Sequence, residues 1–146
     1  MSLVDGFLTP AEEQEVIKAI GEAEKNTSGE LRVHLEKGTQ DPPIIRAFQV
    51  FRELKMHKTK ARNGVLIYVG VETHQFAIYG DIGIDGIVSP DFWEKTKEKI
   101  RYHFEHKNFK AGLIAGISQA GECLKDYFPF DKDDVNELSN TISRYV

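Results

Sequence analysis

A chain of 146 residues, 40% of them hydrophobic and 29% charged, has the size of one domain and enough apolar residues for a packed core, which excludes an intrinsically disordered protein. Its net charge of -4 argues against nucleic acid as the main partner, because phosphate binding depends on a basic surface. The single cysteine, Cys123, excludes an internal disulfide. No signal peptide and no apolar stretch long enough for a membrane span is evident, so we expect a soluble, cytoplasmic protein with one domain over residues 1–146.

The first third of the chain predicts a helix, a strand and a second helix. Residues 9–12, TPAE, combine a capping threonine, a proline at the first helical position and a capping box, and the helix should end near Asn26. Residues 31–35, LRVHL, alternate apolar and polar side chains, which predicts a strand buried on one face. The second helix is predicted from apolar residues at helical spacing, namely Ile44, Ile45, Phe48, Phe51 and Leu54.

The rest of the chain predicts a hairpin followed by helices. Residues 55–63 are polar and basic and indicate an exposed connection. Residues 65–71 are nearly all apolar, which indicates a strand covered on both faces, and residues 76–79 form its antiparallel neighbour after a four-residue turn. Three more helices are predicted, one from Ser89, one from about Phe109 to Phe128, and one from Asp131 that carries Val135, Leu138 and Ile142. Because so many helices cannot cover one face of a short sheet, we predict an α/β fold, a three-layer α/β/α sandwich with a small mixed β-sheet flanked by helices.

The segment from Gly80 to Gly86, GDIGIDG, is the best candidate for chemistry. Asp81 and Asp85 flank Gly83, and carboxylates clustered on permissive backbone are what a hard cation such as calcium or magnesium needs. The alternative is that these aspartates and glycines only build a turn. The spacing is not that of an EF-hand, because Phe92 stands where the bidentate glutamate would fall.

Five short segments carry a family resemblance. They are residues 7–9 (FLT), 28–33 (SGELRV), 62–66 (RNGVL), 80–85 (GDIGID) and 127–129 (YFP), the last at the end of a glycine-rich helix. Taken in this order, they resemble the TPM domain family, named for a thylakoid phosphatase-like protein, a photosystem repair protein and a receptor-modulating protein. The resemblance covers nearly the whole chain and is to the short, free-standing bacterial form. It implies an α/β/α sandwich that binds a divalent cation, often calcium, at loops on one edge of the sheet, and some relatives are described as acid phosphatases.

The resemblance implies that the two aspartates of this segment are metal ligands. Asp81 and Asp85 would bind the ion, and Glu30, at the start of a strand, is either a third ligand or an exposed strand-end carboxylate. Arg62 could bind an anion that the metal holds, since its guanidinium matches phosphate oxygens. Asn63 could assist it, or could form a turn with the glycine that follows.

The sequence is compatible with three functions. The first is an accessory or binding module that takes a divalent cation, calcium being expected and magnesium possible, with a phosphate-bearing ligand or a protein as a further partner. The second is a metal-dependent acid phosphatase, a phosphomonoester hydrolase, in which Arg62 and Asn63 hold the phosphate. The chain has no P-loop and no Gly-x-Ser-x-Gly motif, so hydrolysis would need metal-activated water. In the third, the basic connection with Lys58 and Lys60 docks on a membrane or nucleic acid, although a solvated loop is the favoured interpretation.

Overall fold

The computed structural model describes residues 2–131 and 137–145. In chain order its elements are α1 (Pro10–Glu24), β1 (Glu30–Glu36), α2 (Pro43–Glu53), β2 (Gly64–Gly70), β3 (Gln75–Gly80), α3 (Ile82–Asp85), α4 (Glu94–Glu105), α5 (Phe109–Leu124) and β4 (Ser143–Tyr145), with a turn of 3-10 helix at Met56–Lys58. The four strands form a mixed sheet in the order β3-β2-β1-β4. Strand β1 is parallel to β2 and β4, and β2 pairs with β3 as the predicted antiparallel hairpin.

Helices cover both faces of this sheet, which confirms the predicted sandwich. One face packs Leu31, Val33 and Leu35 of β1 against α1, α4 and α5 in the larger hydrophobic core. The other face packs Leu66 and Tyr68 of β2 against α2. All seven residues of β2 are buried, as its apolar sequence predicts. None of the helices in residues 2–131 and 137–145 has the length and apolarity to cross a membrane.

The start of α1 follows the predicted capping box. The Thr9 hydroxyl accepts a hydrogen bond from the backbone N–H of Glu12 at 3.1 Å, and the Glu12 carboxylate accepts one from the backbone N–H of Thr9 at 2.9 Å. These two bonds satisfy donors that the first turn of a helix leaves without a partner. The helix ends at Glu24, two residues before the predicted stop.

Three predictions about secondary structure are wrong. The predicted loop of glycines and aspartates contains the four-residue helix α3, which Asp81 caps. The helix predicted from Ser89 begins only at Glu94, after a run of turns. The last predicted helix falls partly on residues 132–136, which lie outside the described residues, but residues 137–142 are irregular and β4 follows them. Of its described apolar residues, Leu138 packs in the smaller core and the buried Ile142 directly precedes β4, which pairs with β1.

The prediction that β1 is half-buried is also wrong, because its polar face is covered as well. On that face Glu36 accepts hydrogen bonds from Arg46 at 2.8 and 3.0 Å and from the Tyr68 hydroxyl at 2.7 Å. His34, fully buried, lies 3.0 Å from Glu36 through Nε2 and 3.0 Å from the Ser143 hydroxyl through Nδ1. This polar cluster joins β1 to α2, β2 and β4, so its polar residues are structural rather than solvated.

The cluster makes stability depend on pH. Burial lowers the pKa of His34 below its ordinary 6.5, and the hydrogen bond with Glu36 opposes this only in part. Burial acts to raise the pKa of Glu36, but hydrogen bonds from Arg46, Tyr68 and His34 outweigh it and hold that pKa below 4.5. The unfolded chain therefore binds these protons at higher pH than the folded chain does.

We expect the free energy of unfolding to fall as the pH decreases through 6.5, and to fall again below 4.5. Urea unfolding from about pH 8 to about pH 4 checks this, because each fall marks a group that is protonated first in the unfolded chain. His34→Gln should lose most of the first fall and keep the second. Equal profiles for the wild type and this variant would contradict the assignment.

Candidate functional site

One end of the sheet gathers four of the predicted site residues. Strands β1 and β2 begin there and β3 ends there, because Glu30 pairs with Gly64 and Val65 pairs with Gly80 in the sheet register. This places Glu30, the residues just before β2 and the residue just after β3 side by side. We call this end, with Glu30, Arg62, Asn63 and Asp81, the Asp81 edge.

Asp81 is a buried carboxylate whose charge is balanced by Arg62. Arg62 Nε donates to Asp81 Oδ2 at 2.7 Å and Nη2 donates to Oδ1 at 2.9 Å, and this contact raises the pKa of Arg62 further above its ordinary value. Asp81 Oδ1 also accepts the backbone N–H of Ile82 at 2.8 Å. The Asp81 side chain is 1% exposed, whereas that of Arg62 is 37% exposed. The positive partner can therefore move into solvent while the carboxylate stays buried.

Helix α3 fixes the backbone that carries Arg62. Arg62 has φ 52°, in the left-handed region that residues other than glycine adopt seldom. Its carbonyl accepts the backbone N–H of Gly83 at 2.9 Å. A Cβ on Gly83 would overlap the carbonyl oxygens of Ala61 and Arg62, with only 2.5 Å to the second. Gly83 thus has a packing role, because only glycine lets α3 approach the turn before β2 this closely.

Glu30 and Asn63 lie beside the pair but are both buried. Oε1 of Glu30 accepts the backbone N–H groups of Glu137 and Leu138 at 2.5 and 2.8 Å. The Asn63 side chain donates to the carbonyl of Ser28 at 3.3 Å, and the Asn63 carbonyl accepts the backbone N–H of Glu30 at 3.3 Å. Glu30 is therefore not the exposed strand-end carboxylate of the alternative prediction.

Asp85 lies apart from these residues. It is exposed at the end of α3 and lines a cavity of about 230 Å³ together with Trp93 and Tyr79, a cavity that Asp81 does not line. Burial, followed by the charges of Asp81 and Asp85, raises the pKa of Tyr79. The two aspartates are thus near enough to act on one phenol, but their carboxylates do not enter one cavity.

A larger cavity, of about 970 Å³, opens next to the Asp81 edge. Three segments surround it, the start of β1, the turn before β2 and the chain after α5. Its lining residues are Ser28, Lys60, Ala61, Asn63, Pro129, Phe130, Asp131 and Glu137. The backbone N–H of Lys60 donates to the Glu137 carboxylate at 3.1 Å, which closes one side. Sequence patterns did not single out Lys60 or Glu137 for this site, because only the tertiary fold brings them together.

The oxygen atoms at the Asp81 edge would supply only part of the coordination shell of a cation. Within residues 2–131 and 137–145, no three His, Cys, Asp or Glu side chains are grouped to hold a metal ion. Calcium takes about 6–8 oxygen ligands, so water would have to supply several. The donors do have the right chemistry, since Asp81 and Glu30 are carboxylates, Asn63 has an amide oxygen, and a guanidinium already serves Asp81 as a positive partner.

The comparisons with known proteins agree with this fold. The chain matches the TPM domain over residues 3–123. It is similar to the BA42 protein from the psychrophilic bacterium Bizionia argentinensis, whose NMR structure has 54% identity and a TM-score of 0.92 over 99% of this chain and 100% of that one. No curated protein matches.

Two more distant NMR structures share the fold. One is the N-terminal domain of a P. gingivalis protein, with 18% identity and a TM-score of 0.68 over 84% of this chain and 80% of that one. The other is the N-terminal domain of the cg2496 protein from Corynebacterium glutamicum, with 11% identity and a TM-score of 0.63 over 80% of this chain and 74% of that one. Since the domain match spans most of its length, the chain belongs to the TPM domain family.

Proposed function

We propose that this TPM domain is a binding or accessory module that takes a divalent cation at the Asp81 edge, calcium in preference to magnesium. The observation that supports it is the contact between a carboxylate that is 1% exposed and a guanidinium that is 37% exposed. A buried carboxylate requires a positive partner, because an unpaired charge in the interior is costly. Water can solvate the Arg62 guanidinium, so Arg62 can leave Asp81 when a cation takes its place.

Asp81 would be the main ligand, and the other predicted residues would have secondary roles. Glu30 could contribute its carboxylate, and Asp85 could contribute from the exposed end of α3. Arg62, once released from Asp81, could bind an anion, as could Asn63 at the cavity wall. When bound, the cation would supply a concentrated positive charge for an oxygen-bearing ligand.

Competition between Arg62 and the cation is the test of this arrangement. We expect Arg62→Met to bind calcium at least about tenfold more tightly than the wild type, because the competing charge on Asp81 is gone. Isothermal titration of the EDTA-treated proteins measures this. Arg52→Met is the matched control, since it removes an equal charge from an exposed residue that makes no ion pair with Asp81. Equal calcium affinity in the two variants would count against competition at Asp81.

The acid phosphatase alternative is supported by the 970 Å³ cavity, where Lys60 and Asn63 could bind a phosphate group. It requires that the same protein release phosphate from p-nitrophenyl phosphate only when metal is present. Calcium binding without such turnover would support the binding module and contradict the phosphatase.

A further inference from the structure

Strand β3 has a free outer edge. It is the last strand of the sheet in the part of the chain that the structure describes. The backbone N–H of Asp81 donates to the Gly64 carbonyl at 3.0 Å, so these two residues form a hydrogen-bonded pair. Along an antiparallel ladder such pairs alternate with pairs whose backbone groups point away from the partner strand. Counting back from that pair, the backbone groups that point away from β2 belong to Phe76, Ile78 and Gly80. These three residues offer N–H and C=O groups for another strand.

This edge forms the floor of a groove. One cavity of about 590 Å³ is lined by residues 74–78, and the cavity of about 230 Å³ is lined by residues 78–80, so together they follow the whole of β3. Both cavities include Ile44 of α2, which is 46% exposed, as one wall. The opposite wall is α4, with Trp93 just before it.

The groove has opposite charges at its two ends. Lys97 and Arg101 of α4 line the larger cavity. Lys97 makes only an exposed ion pair with Glu94 at 3.4 Å, and Arg101 makes no ion pair within residues 2–131 and 137–145. The exposed carboxylate of Asp85 lines the smaller cavity at the other end. A bound molecule would therefore be held more tightly if it had an acidic group at the Arg101 end and a basic group at the Asp85 end.

We propose that this groove binds an extended peptide segment of a partner protein, which adds to β3 as a fifth strand. Successive side chains of a strand face opposite walls, so one alternate set is apolar and packs on Ile44, and the other set faces α4, with an apolar residue on Trp93 and a carboxylate beside Arg101. Strand addition combines backbone hydrogen bonds, which give affinity, with alternate side chains, which give specificity. A second copy of this chain is the alternative occupant, and it would form a dimer.

The peptide groove does not depend on the main cation ligand. Its walls belong to α2 and α4, and its lining includes neither Asp81 nor Glu30, although Asp85 lies at one end of it. Peptide binding is therefore expected in EDTA, with no cation present, and a failure of the cation proposal leaves it intact.

The test begins with peptides of about ten random residues displayed on phage and selected against the complete folded chain in EDTA. We expect the enriched sequences to alternate apolar and other residues and to place Asp or Glu toward one end. Synthetic copies of the selected peptides are then titrated by fluorescence anisotropy. Methylation of alternate peptide nitrogens should abolish binding for one set of positions and spare the other, which is the signature of strand addition.

Matched variants locate the site. We expect Ile44→Asp and Arg101→Glu to weaken binding at least about tenfold, while Ile45→Asp and Lys99→Glu, which alter exposed neighbours outside the groove, bind as the wild type does. The proposal is overturned if no selected peptide distinguishes these pairs, or if methylation has no alternating effect. It is equally overturned if sedimentation shows a dimer that Ile44→Asp dissociates, since the occupant would then be a second copy.

Discussion

Gly83→Ala is expected to lower the free energy of unfolding by about 1–3 kcal/mol or more, because its methyl group would overlap backbone rather than a movable side chain. The oxygens of Ala61 and Arg62 lie where the Cβ would stand. Relief requires α3 to move away from the turn before β2, which would also loosen the contact between Arg62 and Asp81.

Gly38→Ala is the control for Gly83→Ala. A Cβ on Gly38 meets no atom within 4 Å, and its φ is not positive, so this change should be nearly neutral. Urea unfolding of both variants measures the difference. Similar stabilities for the two would mean that α3 does not need its close approach to residues 61 and 62.

Glu36→Ala is expected to be more damaging, at about 3–5 kcal/mol, because it removes one partner from a buried ion pair. The Glu36 side chain is 6% exposed, and its loss would leave Arg46, the Tyr68 hydroxyl and His34 without their shared acceptor. The junction of β1 with α2 and β4 would weaken as a result.

Glu53→Ala tests whether this loss comes from the buried position. Glu53 also pairs with Arg46, at 3.3 Å, but its side chain is 44% exposed. Exposed ion pairs are worth about 0–1 kcal/mol, so this variant should be close to the wild type in thermal unfolding. A Glu36→Ala protein as stable as Glu53→Ala would show that the cluster does not hold the strands together.

Sequence patterns succeeded where one local rule decided the structure. The apolar run of β2 and the short turn after it require no knowledge of the rest of the fold, and both were predicted correctly. The capping box of α1 is local as well. For β1, alternation indicated one solvated face, but the fold covers that face with α2 and pairs the polar residues there with one another.

Helix α2 shows a second limit of periodicity. Its apolar residues do recur at helical spacing, yet Ile44, Ile45 and Phe48 are each more than 40% exposed. The residues that pack on the sheet are Ala47, Val50 and Phe51. The orientation of a helix depends on the surface that receives it, which the sequence of the helix alone does not contain. The exposed Ile44 is what makes the wall of the peptide groove.

The candidate site could be predicted in its parts but not in its pairing. Asp81, Glu30 and the Arg62–Asn63 pair come from three separate segments of the sequence, and the strand register brings them to one edge. An external anion is the ligand predicted for Arg62, and the structure adds a pairing with Asp81, 19 residues away, that the sequence does not indicate. That contact follows from the hairpin register together with the left-handed backbone at Arg62, and neither leaves a signature in the sequence.

The most direct measurement is the thermal unfolding of the EDTA-treated protein with and without calcium, beside Asp81→Asn. A cation that binds only the folded state stabilises it by about 2.7 kcal/mol at a hundredfold excess over its dissociation constant. The account predicts a clear rise in melting temperature for the wild type, which Asp81→Asn loses. An unchanged wild type, or an equal rise in Asp81→Asn, would contradict a cation site at the Asp81 edge.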